Sequence, residues 1–154
     1  KTETLLATEL RAQHEDSRWE YIEKSLLAPH QSSTNFPNAL VIAPKVSLKR
    51  SHLNRILEIS LERADPSSMQ FYLKAVISGL GYKRVLSFFS AHLNSHAEQV
   101  AMALYFLPNL EPLPNESQKK LILNLKLEFI RYVEGLDICN QYLESSLDYA
   151  KSYT

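Results

Sequence analysis

The sequence predicts an all-α fold, and three observations predict it. Apolar residues recur mostly at steps of three and four, which is the helical period. Only three glycines occur, Gly79, Gly81 and Gly135, too few for the hairpins of a β-rich fold or the phosphate loops of a nucleotide-binding α/β fold. Helix-start chemistry then cuts the chain into helix-sized pieces, at Asp65-Pro66, at Ser95-x-x-Glu98 and at Asn115-x-x-Gln118.

The first helix is expected over 2–28. Thr2 can cap it, and Leu6, Leu10, Trp19, Ile22 and Leu26 mark one face, although "RAQHEDSR" (11–18) interrupts the pattern. Pro29 ends it. Residues 29–50 read as loop, with "ALVIAP" (39–44) as an extended apolar segment, because a lone strand would have no partner. Ser51 is placed to cap a helix over 51–64, with Leu53, Ile56, Leu57 and Leu61 inward. Asp65 as cap and Pro66 at the first helical position start a third helix over 66–80, which Gly79 and Gly81 stop. A fourth runs over 82–94.

"SAHLNSHAEQVAMALYFLP" (90–108) holds His92 and His96, four apart, a spacing that lets one helix face hold a metal ion. Ser95 and Glu98, however, make a capping box. A fifth helix is therefore expected over 95–107, with His92 ending one helix and His96 opening the next. On that reading the two histidines share no face, and no metal site is expected. The fifth helix is apolar nearly all round and so central. Asn115 and Gln118 open a long helix over 116–152. Its heptad seam runs Ile122, Phe129, Leu136, Leu143 and Ala150, with Leu125, Tyr132, Cys139 and Ser146 interleaved, and Gly135 is the place for a kink.

Two helix pairs, 52–80 and 82–107, succeed one another at about 30 residues, with "RADPSSMQFYL" and "HLNSHAEQVAM" as the breaks. This layout resembles stacked helical hairpins of the HEAT type. The resemblance covers the middle third of the chain and rests on helix spacing. It implies a helical-repeat centre within a single helical domain spanning 1–154, closed by the long C-terminal helix.

Lysine plus arginine and aspartate plus glutamate number 17 each, so no global charge favours nucleic acid or an anionic membrane. No apolar run is long enough for a membrane span. One cysteine, Cys139, excludes an intrachain disulfide, and with no signal segment in view it points to the cytoplasm. P-loop, dinucleotide, H-E-x-x-H and C-x-x-C motifs are missing, so no cofactor is expected. By elimination the sequence reads as a soluble, non-enzymatic adaptor or scaffold domain whose partner is another protein. Trp19, Tyr142, Tyr149 and Tyr153 are its contact candidates, because tyrosine and tryptophan pair apolar area with a polar tip. The 116–152 seam also offers a homodimer face. The competing reading is a helical-bundle enzyme or small-ligand protein with His52, His92, His96 and Tyr105 lining a pocket between helices.

Overall fold

The computed structural model describes residues 3–29, 36–137 and 140–153, with side chains from 39 onward in the second stretch. Among the described residues there are eight α-helices and no strand, so the fold is all-α. The chain divides into two compact units, Lys1–Gly81 and Tyr82–Thr154.

The first unit begins with α1 (Glu3–Arg11) and α2 (Glu15–Leu27). The single helix expected over 2–28 is thus two. "RAQHED" carries no apolar side chain long enough to hold a turn against a core, and the Nδ1 of His14 accepts from the Asp16 N–H at the start of α2. The expected cap Thr2 lies outside the described residues. The stretch expected as loop contains α3 (Phe36–Ile42) and a 3₁₀ turn, Ala43–Lys45. Ala39, Leu40, Ile42 and Ala43 are buried, and a helix closes its own backbone hydrogen bonds where an extended segment would leave them open.

α4 (Arg50–Arg63) begins one residue earlier than expected, with Lys49 at the cap position and no side-chain cap, so Ser51 does not serve as one. Its Ile56, Leu57 and Ile59 are fully buried, as are Ile22 and Leu26 of α2. Arginines satisfy the carbonyls that the connections leave open. Arg11 Nε donates to Lys45 O at 2.6 Å, Arg63 Nη1 to Ala28 O at 3.0 Å and Arg18 Nη1 to Ser47 O at 3.4 Å.

Asp65 caps the entry to the next helix, which begins at Met69 after a turn over 66–68 and not at Pro66 as expected. Its Oδ1 accepts the Ser67 and Ser68 N–H groups at 2.9 and 2.7 Å and the Ser67 hydroxyl at 2.7 Å. The Ser67 hydroxyl bond leads in holding this carboxyl below the usual carboxylate range. α5 (Met69–Ala91) follows and is broken at Gly81, at φ 77° and ψ 158°, a backbone region that only glycine enters freely. The break falls at the boundary between the two units. Gly79 has a different role. It is helical, and a Cβ there would run into Leu53 Cδ1, so its missing side chain admits α4.

The second unit holds residues 82–91 of α5, then α6 (Ala97–Phe106), α7 (Glu116–Glu134) and α8 (Gln141–Ser152). Val85, Phe89, Val100, Ala103, Leu107 and Phe129 form its interior. Residues 100–104 of α6 are all buried, as its all-round apolar pattern predicts. The buried Tyr82 pins the proline-rich loop after it, donating to Pro112 O at 2.9 Å and Leu110 O at 3.2 Å. Asn115 and Gln118 form the predicted capping box, each side chain bonding the other's backbone N–H at 2.9 Å.

The helix expected over 116–152 ends at Glu134. Gly135 caps it through its N–H, and Asn140 restarts the chain by accepting the Leu143 N–H at 2.9 Å. Heptad positions Ile122, Leu125, Phe129, Leu143 and Ala150 are buried, so the seam is shared by two helices. Leu136 falls in the connection, and Cys139 lies outside the described residues.

Two substitutions test these contacts. Gly81→Ala should cost about 1–3 kcal/mol in urea unfolding, because alanine is strained at this φ whatever the space around it. Lys126 on α7 is only 8% exposed, and burial pushes its ammonium below the usual lysine range. Lys126→Met should therefore stabilise the protein at neutral pH, by about 1 kcal/mol. Over the interval between the lowered pKa and the unfolded value near 10.4, the unfolded chain binds more protons. Wild-type stability rises with pH there, so the advantage of the variant should shrink.

Candidate functional site

Aromatic residues of α6 and α8 form an exposed cluster in the second unit. Tyr105 is followed along α6 by Phe106, and their rings meet edge to face at 5.0 Å. The Tyr105 ring lies 5.2 Å from that of Tyr149, and Tyr149 lies 4.7 Å from Tyr153. Tyr149 and Tyr153 are four apart at the end of α8, the spacing that stacks side chains on one helix face. The three tyrosines are 54%, 38% and 68% exposed, so the face presents π area to solvent with phenol hydroxyls at its rim. Asn140 Nδ2 donates to Glu98 Oε1 at 2.6 Å, tying the start of α8 to the start of α6, and Lys151 pairs with Glu134 at 2.5 Å.

The remaining contact candidates sit elsewhere. Tyr142 is half-buried on α8, and burial raises its phenol above the usual range. Trp19 belongs to the first unit, where its ring stacks on that of His52 at 4.7 Å and 2° between planes, joining α2 to α4. The Nδ1 of His52 is buried without a hydrogen-bond partner.

Of the four residues expected to line a pocket, the structure brings His92 and His96 together. Tyr105 makes its ring contacts with Phe106 and Tyr149, and His52 with Trp19. The expected capping box at Ser95 does not form. His96 occupies the cap position with no side-chain cap, the Ser95 hydroxyl turns back to His92 O at 3.3 Å, and Glu98 is engaged by Asn140. The histidines do fall at a helix boundary: α5 ends at Ala91, α6 begins at Ala97, and His96 is non-helical at φ −138° and ψ 47°. Across the turn between them His96 N donates to His92 O at 2.8 Å, and the rings stand 6.1 Å apart. Among the described residues no three His, Cys, Asp or Glu side chains converge as a metal cluster would require.

One groove, of about 380 Å³, opens between α5 and α7 within this unit. Leu86, Leu121 and Leu125 line it, with Lys83 also on its wall and Ser90 bonded to Glu128 at 2.6 Å. No sequence signal marked the groove or the union of Tyr105 with Tyr149, because each joins residues far apart in the chain.

Comparison with protein-family models, curated proteins and solved structures finds no match. No helix of the described residues is long and apolar enough to cross a membrane.

Burial raises the phenols of Tyr72, Tyr82, Tyr142 and Tyr149 above their ordinary range. Tyr149 is also opposed by the neighbouring phenols of Tyr153 and Tyr105. A raised phenol contributes stability that is fully present below the unfolded value of about 10 and is lost as pH climbs through the folded one. Unfolding free energy should therefore fall steeply above about pH 10. Phenolate absorbance should show a late-titrating group of tyrosines that merges with the rest in denaturant.

Proposed function

We propose that this chain is a non-enzymatic helical domain that binds another protein through the tyrosine face of α6 and α8. The observation that carries the reading is the exposure of Tyr105, Tyr149 and Tyr153 as one connected set of rings. Three such rings retain solvent-facing apolar area that a folded chain would otherwise cover. Tyrosine is also among the residues that supply most of the energy at protein interfaces. Tyr105 is held by α6, whose residues 100–104 are all buried, so little of its backbone order is left to be lost on binding.

The adaptor or scaffold role and the HEAT-like stacking belong to this proposal. A cytoplasmic setting belongs to it as well, supported by the lone cysteine. A homodimer through the heptad seam draws less support, since Ile122, Leu125, Phe129, Leu143 and Ala150 are already buried within one chain.

The groove between α5 and α7 favours a second reading, a small-ligand site with an apolar floor and polar groups on its walls. The residues that would act there are Lys83, Ser90 and Glu128, none of which belongs to the histidine and tyrosine set expected from sequence.

Quantitative capture from lysate of the source cells separates the two readings. Replacing Tyr105, Tyr149 and Tyr153 together by serine should lower recovery of any specific partner at least tenfold. Leu113→Ser, at a residue exposed elsewhere in the unit, should leave recovery unchanged. Equal recovery with both variants would remove the tyrosine face from the interface.

A further inference from the structure

The turn between α5 and α6 carries two imidazoles whose inner nitrogens are both engaged. His92 Nδ1 lies 2.8 Å from Phe88 O. A carbonyl only accepts, so this nitrogen carries the proton, and the Nε2 of the neutral ring carries the lone pair. His96 Nδ1 lies 2.8 Å from the Ser95 hydroxyl, which itself donates to His92 O. In the tautomer that donates from His96 Nδ1–H to this hydroxyl, Nε2 carries the lone pair. His92 thus shows the arrangement found behind metal-bound histidines, with one nitrogen anchored to an oxygen and the other carrying the lone pair, and His96 has the same anchor position at its Nδ1.

The backbone fixes the pair. His96 N donates to His92 O at 2.8 Å, and Tyr132 of α7 braces the same turn through Asn94 O at 3.1 Å. Phe88 supports the His92 ring at 4.3 Å. Both histidines are half-buried, so a small solute can reach them. With metal–nitrogen bonds of about 2.0–2.1 Å, two imidazoles on one ion have centroids between about 4.5 Å (at a right angle) and about 6.4 Å (in line). The observed 6.1 Å lies inside that span.

We propose that His92 and His96 form a two-imidazole site for a borderline divalent transition cation of the Ni²⁺, Cu²⁺ and Zn²⁺ class, bound through the two Nε2 atoms. No third His, Cys, Asp or Glu of the described residues joins them. Water fills the other positions, the affinity follows the order in which Cu²⁺ exceeds Ni²⁺ and Zn²⁺, and the hard ions Mg²⁺ and Ca²⁺ are refused. The ion would bridge the residue after α5 and the cap residue of α6, clamping the corner between them. This site is independent of the tyrosine face.

Titration calorimetry of the whole chain with Ni²⁺ tests the site. One ion per chain is expected. His92→Gln and His96→Gln should each weaken uptake at least tenfold, and Ser95→Ala, which removes only the anchor of His96, about tenfold. His14→Gln should change nothing. Uptake that survives both the His92 and His96 replacements, or that falls as much with His14→Gln, overturns the proposal. Electron paramagnetic resonance of the wild-type chain with one equivalent of Cu²⁺ gives a test that does not depend on any variant folding. Coupling to two imidazole nitrogens is expected, and coupling to one or none overturns the assignment.

Discussion

Each helix of this protein depends on an apolar partner for its existence. The longest uninterrupted one, α7, spans Glu116–Glu134, and several are less than three turns long. Helices of this length are marginal alone in water, since nucleation is costly and each added hydrogen bond returns little. Burial of Leu, Ile and Phe side chains supplies what propensity does not, at about 1.5–3 kcal/mol for each side chain fully covered. Ile22, Leu26, Ile56 and Leu57 do this in the first unit, and Phe89, Val100, Leu107 and Phe129 in the second. Where no apolar face is offered the helix stops, as between α1 and α2. Where one is offered inside an expected loop, as at 39–43, a helix forms.

The same dependence explains what the sequence could show. Helical spacing of apolar residues is a local record of burial, so the fold class and most helices were legible. Helix ends closed by neighbours a few residues away were legible too. Asp65 with Ser67 and Ser68, and Asn115 with Gln118, find every partner within one turn. Ser95 and Glu98 have the same spacing and fail: His96 holds the cap position, and the Glu98 side chain is bonded by Asn140 from far along the chain. The split of the 116–152 helix was visible only as a weak point at Gly135. A heptad pattern cannot tell one helix from two that share a seam, since burial repeats in both.

The candidate surfaces were less legible, for a related reason. Tyr149 and Tyr153 could be paired from their spacing on one helix. The sequence groups Tyr105 with the histidines, and only the packing of α6 beside α8 places it against Tyr149. Trp19 reads by composition as an anchor for a partner, and in the structure one face of its ring is stacked on His52. Aromatic content signals that apolar area exists. Whether that area faces a core, an imidazole or solvent is settled by neighbours distant in sequence.

Ser95 shows how one small side chain can decide between architecture and chemistry. Its hydroxyl could accept the Glu98 N–H and end the helix in the usual way, leaving His96 to point where it will. Instead the hydroxyl bridges His96 Nδ1 and His92 O, and the box is given up. The lost cap is a cost of about 1 kcal/mol to α6. The turn kept between His92 and His96 and the tie from Glu98 to Asn140 offset it. Abandoning a strong local motif makes sense only if the alternative bonds are better. The outcome is a corner in which both imidazoles make hydrogen bonds through Nδ1.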